Sequence, residues 1–130
     1  MTFLLDTNTV SYYLRGDARV VKHIQALEPR DLAISAVTVM ELRYGAARRR
    51  APRLTAAIDA VLGALTVLPF DTAAAERAGA VRAALEAKGV ALGLADSQIA
   101  GQALAAGATL VSSDAAFRRV PGLPVRNWSK

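Results

Sequence analysis

At 130 residues, of which 53% are hydrophobic, the chain suffices for one domain with a sizeable core and is too apolar for a disordered segment. It contains no cysteine, which excludes a disulfide scaffold and any thiolate metal site. A formal net charge of +5 and a pI of about 10.2, supplied mostly by arginine, suit a polyanionic partner as well as plain solubility.

Short apolar runs alternate with helix-length segments, the pattern of a parallel α/β sheet. Phe3-Leu4-Leu5 predicts a first strand and Asn8 to Leu14 a helix. Gly16-Asp17 breaks that helix, and Asp17 suits the cap of a second, Ala18 to Leu27. Leu32-Ala33-Ile34 reads as a strand, and Ser35 as the cap of a long helix from Ala36 to about Arg49. Pro52 fits the first turn of a helix running towards Leu62. Thr66-Val67-Leu68 is a third strand, followed by an alanine-rich helix capped by Asp71 and ended after Lys88 by Gly89. A helix over Ala95–Ala106 closes at Gly107, Thr109-Leu110-Val111 is a fourth strand, and Pro124-Val125-Arg126 a short fifth at an edge. The expected fold is a single α/β domain over residues 1–130, with a short, mostly parallel sheet of four to five strands flanked by helices.

Four acids stand where a carboxylate is costly. Asp6 ends the first strand and Asp114 follows the fourth, and ligands of parallel sheets bind beyond such strand ends. Val37, Met40, Glu41 and Tyr44 share one helical face, as do Asp96, Ile99, Ala100 and Ala103. Both faces read as buried, and a buried carboxylate requires a partner or a cation. Two carboxylates about 4 Å apart repel by about 4 kcal/mol at an effective dielectric of 20, and bound Mg²⁺ or Mn²⁺ reverses that sign. The set therefore points to a metal-dependent enzyme. Singly, Asp6 and Asp96 also suit helix capping, and Asp114 an ordinary turn.

Asp71 reads as a cap and Glu76 as part of a solvated face. His23 is a lone histidine on an amphipathic helix, and Trp128 packs the C-terminal segment. Arg48-Arg49-Arg50 with Arg53 suits a phosphate-binding strip and equally the negative end of a helix dipole.

At these residues the chain resembles the PIN-domain ribonucleases, specifically the VapC-type toxins of bacterial toxin–antitoxin pairs. Leu4-Leu5-Asp6-Thr7-Asn8 is similar to the family's first acidic motif, and Ile34 through Gly45, around Glu41, to the second. Leu94 through Ala100, around Asp96, is similar to the third, and Leu110 through Phe117, around Asp114, to the fourth. The tail from Val120 to Leu123 and through Asn127-Trp128 is also typical. Two departures stand out: Gly93-Leu94-Ala95 lacks the proline and aromatic residue common before Asp96, and Ser112 replaces a common threonine. The resemblance implies an endoribonuclease dependent on Mg²⁺ or Mn²⁺, with the metal on Asp6, Glu41, Asp96 and Asp114. It further implies supporting polar roles for Thr7, Asn8, Ser35, Thr38 and Ser112, and products with a 5′-phosphate and a 3′-hydroxyl.

The resemblance also implies an antitoxin partner. Val10, Tyr12, Tyr13 and Leu14, with Val20, Val21, Ile24 and Leu27, give the first two helices more apolar surface than one sheet face needs, so a partner groove is expected there. Val39, Leu42, Ala46 and the segment Ala73 to Ala87 similarly suggest a homodimer. One rival is a haloacid-dehalogenase-type phosphatase, whose aspartate loop resembles Asp6-Thr7-Asn8. That loop normally has a second Asp at the position of Asn8, and its chemistry needs a lysine after a strand, whereas the only lysines are Lys22, Lys88 and Lys130. Another rival is a non-catalytic RNA- or partner-binding scaffold. Asp6 interrupts the N-terminal apolar run, and the longest apolar stretches, such as Ala60 to Phe70, are too short to cross a bilayer, so no membrane association and a cytoplasmic location are expected.

Overall fold

The computed structural model describes residues 1–130. Its strands are β1 (Phe3–Leu5), β2 (Leu32–Ser35), β3 (Thr66–Leu68), β4 (Thr109–Val111) and β5 (Val125–Arg126). Its helices are α1 (Thr7–Leu14), α2 (Ala18–Gln25), α3 (Ala36–Arg49), α4 (Pro52–Ala64), α5 (Thr72–Ala87) and α6 (Leu94–Ala106), with 3₁₀ turns at Pro29–Asp31 and Ala115–Arg119. The strands form one sheet in the order β3-β2-β1-β4-β5, and every neighbouring pair is parallel. The sheet is thus wholly parallel, and β5 occupies an edge, as the proline before it requires.

Strand alternation divides the core in two. Leu4, Ala33 and Leu110, in register across β1, β2 and β4, pack against Val81 and Leu85 of α5 and Ile99 and Ala103 of α6. Leu5, Ile34 and Val111 face the other way, towards Val10, Val20, Leu42, Ile58 and Trp128. Burial on both faces explains why the central strands are continuously apolar. No helix is long and apolar enough to cross a membrane.

The expected caps form. Asp17 accepts from the backbone N–H groups of Arg19 and Val20, Ser35 from Val37 and Asp71 from Ala74. Boundaries shift at α1 and α6, which begin one residue earlier than the sequence suggests, and at α2, which ends at Gln25 rather than Leu27. Arg50 closes α3 in the left-handed conformation, with φ 48°.

Leu42 and Ala46, expected on a homodimer face, are only 8% and 3% exposed and belong to the core. Conversely, Met40 and Tyr44, expected on a buried face, are 59% and 62% exposed. Val37 on that face is buried, but two turns later the same face has left the cover of the domain. Its period in the sequence was helical; its depth was not encoded there.

Helices α5 and α6 approach most closely at Gly101, where a Cβ would overlap the backbone of Ala78. Gly101→Ala should destabilise the fold by about 2 kcal/mol or more, because the obstacle is main chain and cannot rotate away. In a thermal melt this should lower Tm by roughly 8 °C. Gly79→Ala in the same helix pair, where an added Cβ meets nothing within 4 Å, should leave Tm unchanged or slightly raised.

Candidate active site

The strand order places β1 beside β4 where the chain switches direction across the sheet, the usual ligand crevice of a parallel sheet. Asp6 sits at the end of β1 and is only 3% exposed. Its backbone N–H donates to Val111 O (3.1 Å), extending the β1–β4 seam by one residue. Its Oδ1 accepts from the Thr9 N–H (2.8 Å), so the capping role is real. Oδ2 is left for other work. Thr9 Oγ1 donates to Val111 O (3.0 Å), tying α1 to β4. Nothing in the apolar pattern of the sequence marks this buried threonine. The available signal was its position three residues after a capping aspartate.

Asp114 is exposed and lies after β4. It caps the 3₁₀ turn Ala115–Arg119 by accepting from the Ala116 N–H (2.9 Å). Ser112, 2% exposed, holds this turn by accepting from the Asp114 N–H (3.0 Å). Glu41 is half-buried on α3, and its Oε1 accepts from Thr7 Oγ1 at 2.6 Å. Thr7 has one hydroxyl proton, so the Thr38 hydroxyl 3.0 Å away must donate to Thr7. Thr38 is fully buried, and the chain Thr38–Thr7–Glu41 fixes the rotamer of the acid. Ser35 caps α3 by accepting from the Val37 N–H (3.0 Å), and Asn8 is exposed.

Asp96 lies in the first turn of α6 but does not cap it, because the N-cap is Gly93. Its Oδ2 lies 3.7 Å from the position of a Cβ at Gly93, so the carboxylate lies back over the helix start. Of the four acids, Asp96 carries the electrostatic strain. Burial pushes its carboxyl from 3.8 up to about 6, and the charges of Asp114, Asp6 and Glu41 add to the rise in that order. The positive end of the α6 dipole opposes this rise without cancelling it.

The donor set is all carboxylate oxygen, which matches the preference of Mg²⁺ and Mn²⁺, and its mutual repulsion is what such a cation relieves. In the conformation present, no three of the acidic or histidine side chains close around a point that would hold a metal ion. The caps on Asp6 and Asp114 and the threonine bond to Glu41 hold each acid from its own side. His23 takes no part: it is exposed and stacks on Trp128, with ring centroids 5.1 Å apart and planes 6° apart. Lys22, Lys88 and Lys130 are exposed; Lys22 lies within α2, Lys88 at the end of α5, and Lys130 in the C-terminal segment beyond the edge strand β5.

The raised carboxyl gives a signed prediction. Between about 4 and 6, folded Asp96 holds a proton that the unfolded chain releases, so the stability it contributes falls as pH rises through that window. At pH 7.5, Asp96→Asn should therefore raise stability by about 1 kcal/mol, a value reduced for solvent screening. Denaturant titrations of both proteins at pH 4.5 and 7.5, without divalent ions, should show the gain at the higher pH and little at the lower.

The PIN domain family pattern matches residues 3–123. The tRNA(fMet)-specific endonuclease VapC of Salmonella typhimurium is 35% identical over 130 residues, covering 98% of each chain. Among solved structures, VapBC2 from Rickettsia felis, bound to a DNA fragment from its promoter, superposes with a TM-score of 0.91 at 30% identity, over 98% of this chain and 99% of that one. DNA-bound VapBC from Salmonella typhimurium gives 0.91 at 35% identity, over 98% of each chain. With its five parallel strands, its acids at the carboxyl edge of the sheet and likeness along its whole length, the chain belongs to the PIN-domain family, among the VapC ribonucleases.

Proposed function

We propose that this chain is a Mg²⁺- or Mn²⁺-dependent endoribonuclease, the toxin of a toxin–antitoxin pair, that hydrolyses RNA phosphodiester bonds at the acidic edge of its sheet. The reading is carried by the parallel sheet, whose carboxyl edge has Asp6 after β1, Asp114 after β4, Glu41 on the helix that leaves β2 and Asp96 in the first turn of α6, where the other three raise its carboxyl. Asp6, Glu41, Asp96 and Asp114 would hold the cation. When bound, it lowers the pKa of an attacking water and stabilises charge on the scissile phosphate. Thr7 and Thr38 keep Glu41 aimed, and Ser112 keeps Asp114 in its turn. Asp96, with its carboxyl pushed up to about 6, is the candidate to take a proton from the attacking water. The chain needs no histidine or covalent nucleophile for this chemistry. The phosphatase alternative lacks the lysine it requires.

A second surface supports the toxin reading. A cavity of about 390 Å³ lies between α1, α2 and α4, and all 11 of its lining residues are hydrophobic. Val10, Tyr13 and Leu14 form one wall, Val21 and Ile24 another, and Ala57, Ala60, Val61 and Ala64 the third. The sequence pointed to α1 and α2; α4 is the addition. Tyr13 lines the groove, whereas Tyr12 carries Arg15 over its ring at 5.1 Å. The groove fits an apolar helix or extended segment of an antitoxin. Exposed Ala73, Ala80 and Ala87 along α5 offer a small-residue face on which two copies of the chain would form a homodimer. A cytoplasmic location goes with RNA as substrate.

Purified protein should cleave RNA in Mg²⁺ or Mn²⁺ and stop in EDTA. Asp6→Asn and Asp96→Asn should each lower the rate by about a hundredfold or more, while circular dichroism stays native. Asparagine can still cap α1, so a folded Asp6→Asn protein with full activity would sink the mechanism.

Ala60→Arg places a charged side chain in the apolar groove. It should weaken antitoxin binding by tenfold or more, as about 1.4 kcal/mol corresponds to each factor of ten, and leave RNA cleavage by the free toxin unchanged. Tyr13→Ala should act in the same direction. Unaltered inhibition of both folded variants would remove the antitoxin from this groove.

A further inference from the structure

The face of α3 that emerges from the domain beyond Glu41 is occupied in an ordered way. Glu41, Tyr44 and Arg48 follow the 0, 3, 7 spacing of one helical stripe. At 1.5 Å per residue, Tyr44 lies about 4.5 Å and Arg48 about 10.5 Å along the axis from the acid. Tyr44 is 62% exposed, with Met40 beside it at 59%. Arg48 is exposed and forms no ion pair, in contrast to Arg43 on the flank, which is held by Asp59 at 2.7 Å. A large aromatic ring is therefore presented to solvent between an anionic catalytic edge and a free cation.

We propose that this stripe guides an unpaired RNA strand away from the acidic edge, with Tyr44 stacking a base and Arg48 holding a neighbouring phosphate. The inference rests on the ribonuclease reading of that edge and specifies how it grips its substrate. Four carboxylates repel a polyanion, so the strand must be held by groups just outside them. Stacking supplies attraction that does not depend on charge, and a guanidinium supplies the phosphate contact. Tyr44 has Glu41 one turn before it and Arg48 one turn after it, so an acid and a cation flank the ring along the stripe, with Met40 and Ala47 as its apolar neighbours. Bases in a duplex have their faces covered, so the track selects single-stranded segments and is tolerant of base identity.

The test uses a fluorescein-labelled single-stranded RNA nonamer and the same ribose-phosphate chain without bases. Wild-type protein should bind the base-bearing nonamer about tenfold more tightly than the abasic one, the size expected for one stacked base. Tyr44→Ala should bind the two alike, and Tyr44→Phe should keep the preference. Arg48→Gln should weaken both nonamers equally and lower the salt slope by about one. A preference that survives Tyr44→Ala overturns the proposal. So does conversion of a dimer to a monomer by Tyr44→Ala in light scattering, which would assign the ring to contact between copies. Metal-dependent cleavage with no Tyr44 effect removes the track and leaves the nuclease. The Tyr44 effect without any cleavage by wild-type protein removes the nuclease and leaves the track.

Discussion

The seam between β1 and β4 governs the acidic edge. Three bonds at its end converge on two residues: Asp6 N–H and Thr9 Oγ1 both donate to Val111 O, and Thr9 N–H donates to Asp6 Oδ1. They join the end of β1, the start of α1 and the end of β4 in one knot. Because the sheet is wholly parallel, the remaining acids arrive at the same edge by topology. Helix α3 leaves that edge directly after β2, and α6, which feeds β4, has its first turn there. What gathers the carboxylates is chain direction, and it acts against their mutual repulsion. The cost is not shared evenly. Asp6 and Asp114 each receive a backbone N–H and Glu41 a hydroxyl. Asp96 receives no such bond, is partly buried, and takes up the strain as a raised proton affinity.

The sequence made the architecture legible because its apolar runs were short, strand-like and separated by cappable helices. Asp17, Ser35 and Asp71 announced three helix starts through their own chemistry, and each accepts the bonds expected of it. The four acids could be singled out by where they interrupted apolar runs. The raised carboxyl of Asp96 could not, because it depends on burial and on the charges of Asp114, Asp6 and Glu41, which the fold brings near from distant parts of the chain. Depth was the other blind spot. A helical stripe at 0, 3, 4, 7 shows only that residues share a face. Val37 and Tyr44 share one, yet the first is 8% exposed and the second 62%, because α3 runs out beyond its cover. Leu42 and Ala46 failed in the opposite sense: α4 lies over them as well as the sheet, so they are core and leave no surplus for a dimer.

Helix α1 connects the two surfaces that a regulated nuclease requires. Its first turn carries Asp6 as cap and Thr7, which donates to Glu41; its second carries Val10, Tyr13 and Leu14, which line the apolar groove. Eight residues of helix span about 12 Å, so the acidic edge and the groove are separated by little more than one short helix. An apolar segment seated in the groove would need only a short extension along α1 to bring a basic side chain among carboxylates whose charges already work against one another. The energetics favour that arrival: the approaching cation meets repulsion it can relieve, the same repulsion that would draw a divalent ion. Occupation of the groove and occupation of the acidic edge are then linked through charge, with no rearrangement of the sheet. A cation from a partner and a divalent ion would then compete for the same crowded carboxylates, the crowding that raises the carboxyl of Asp96.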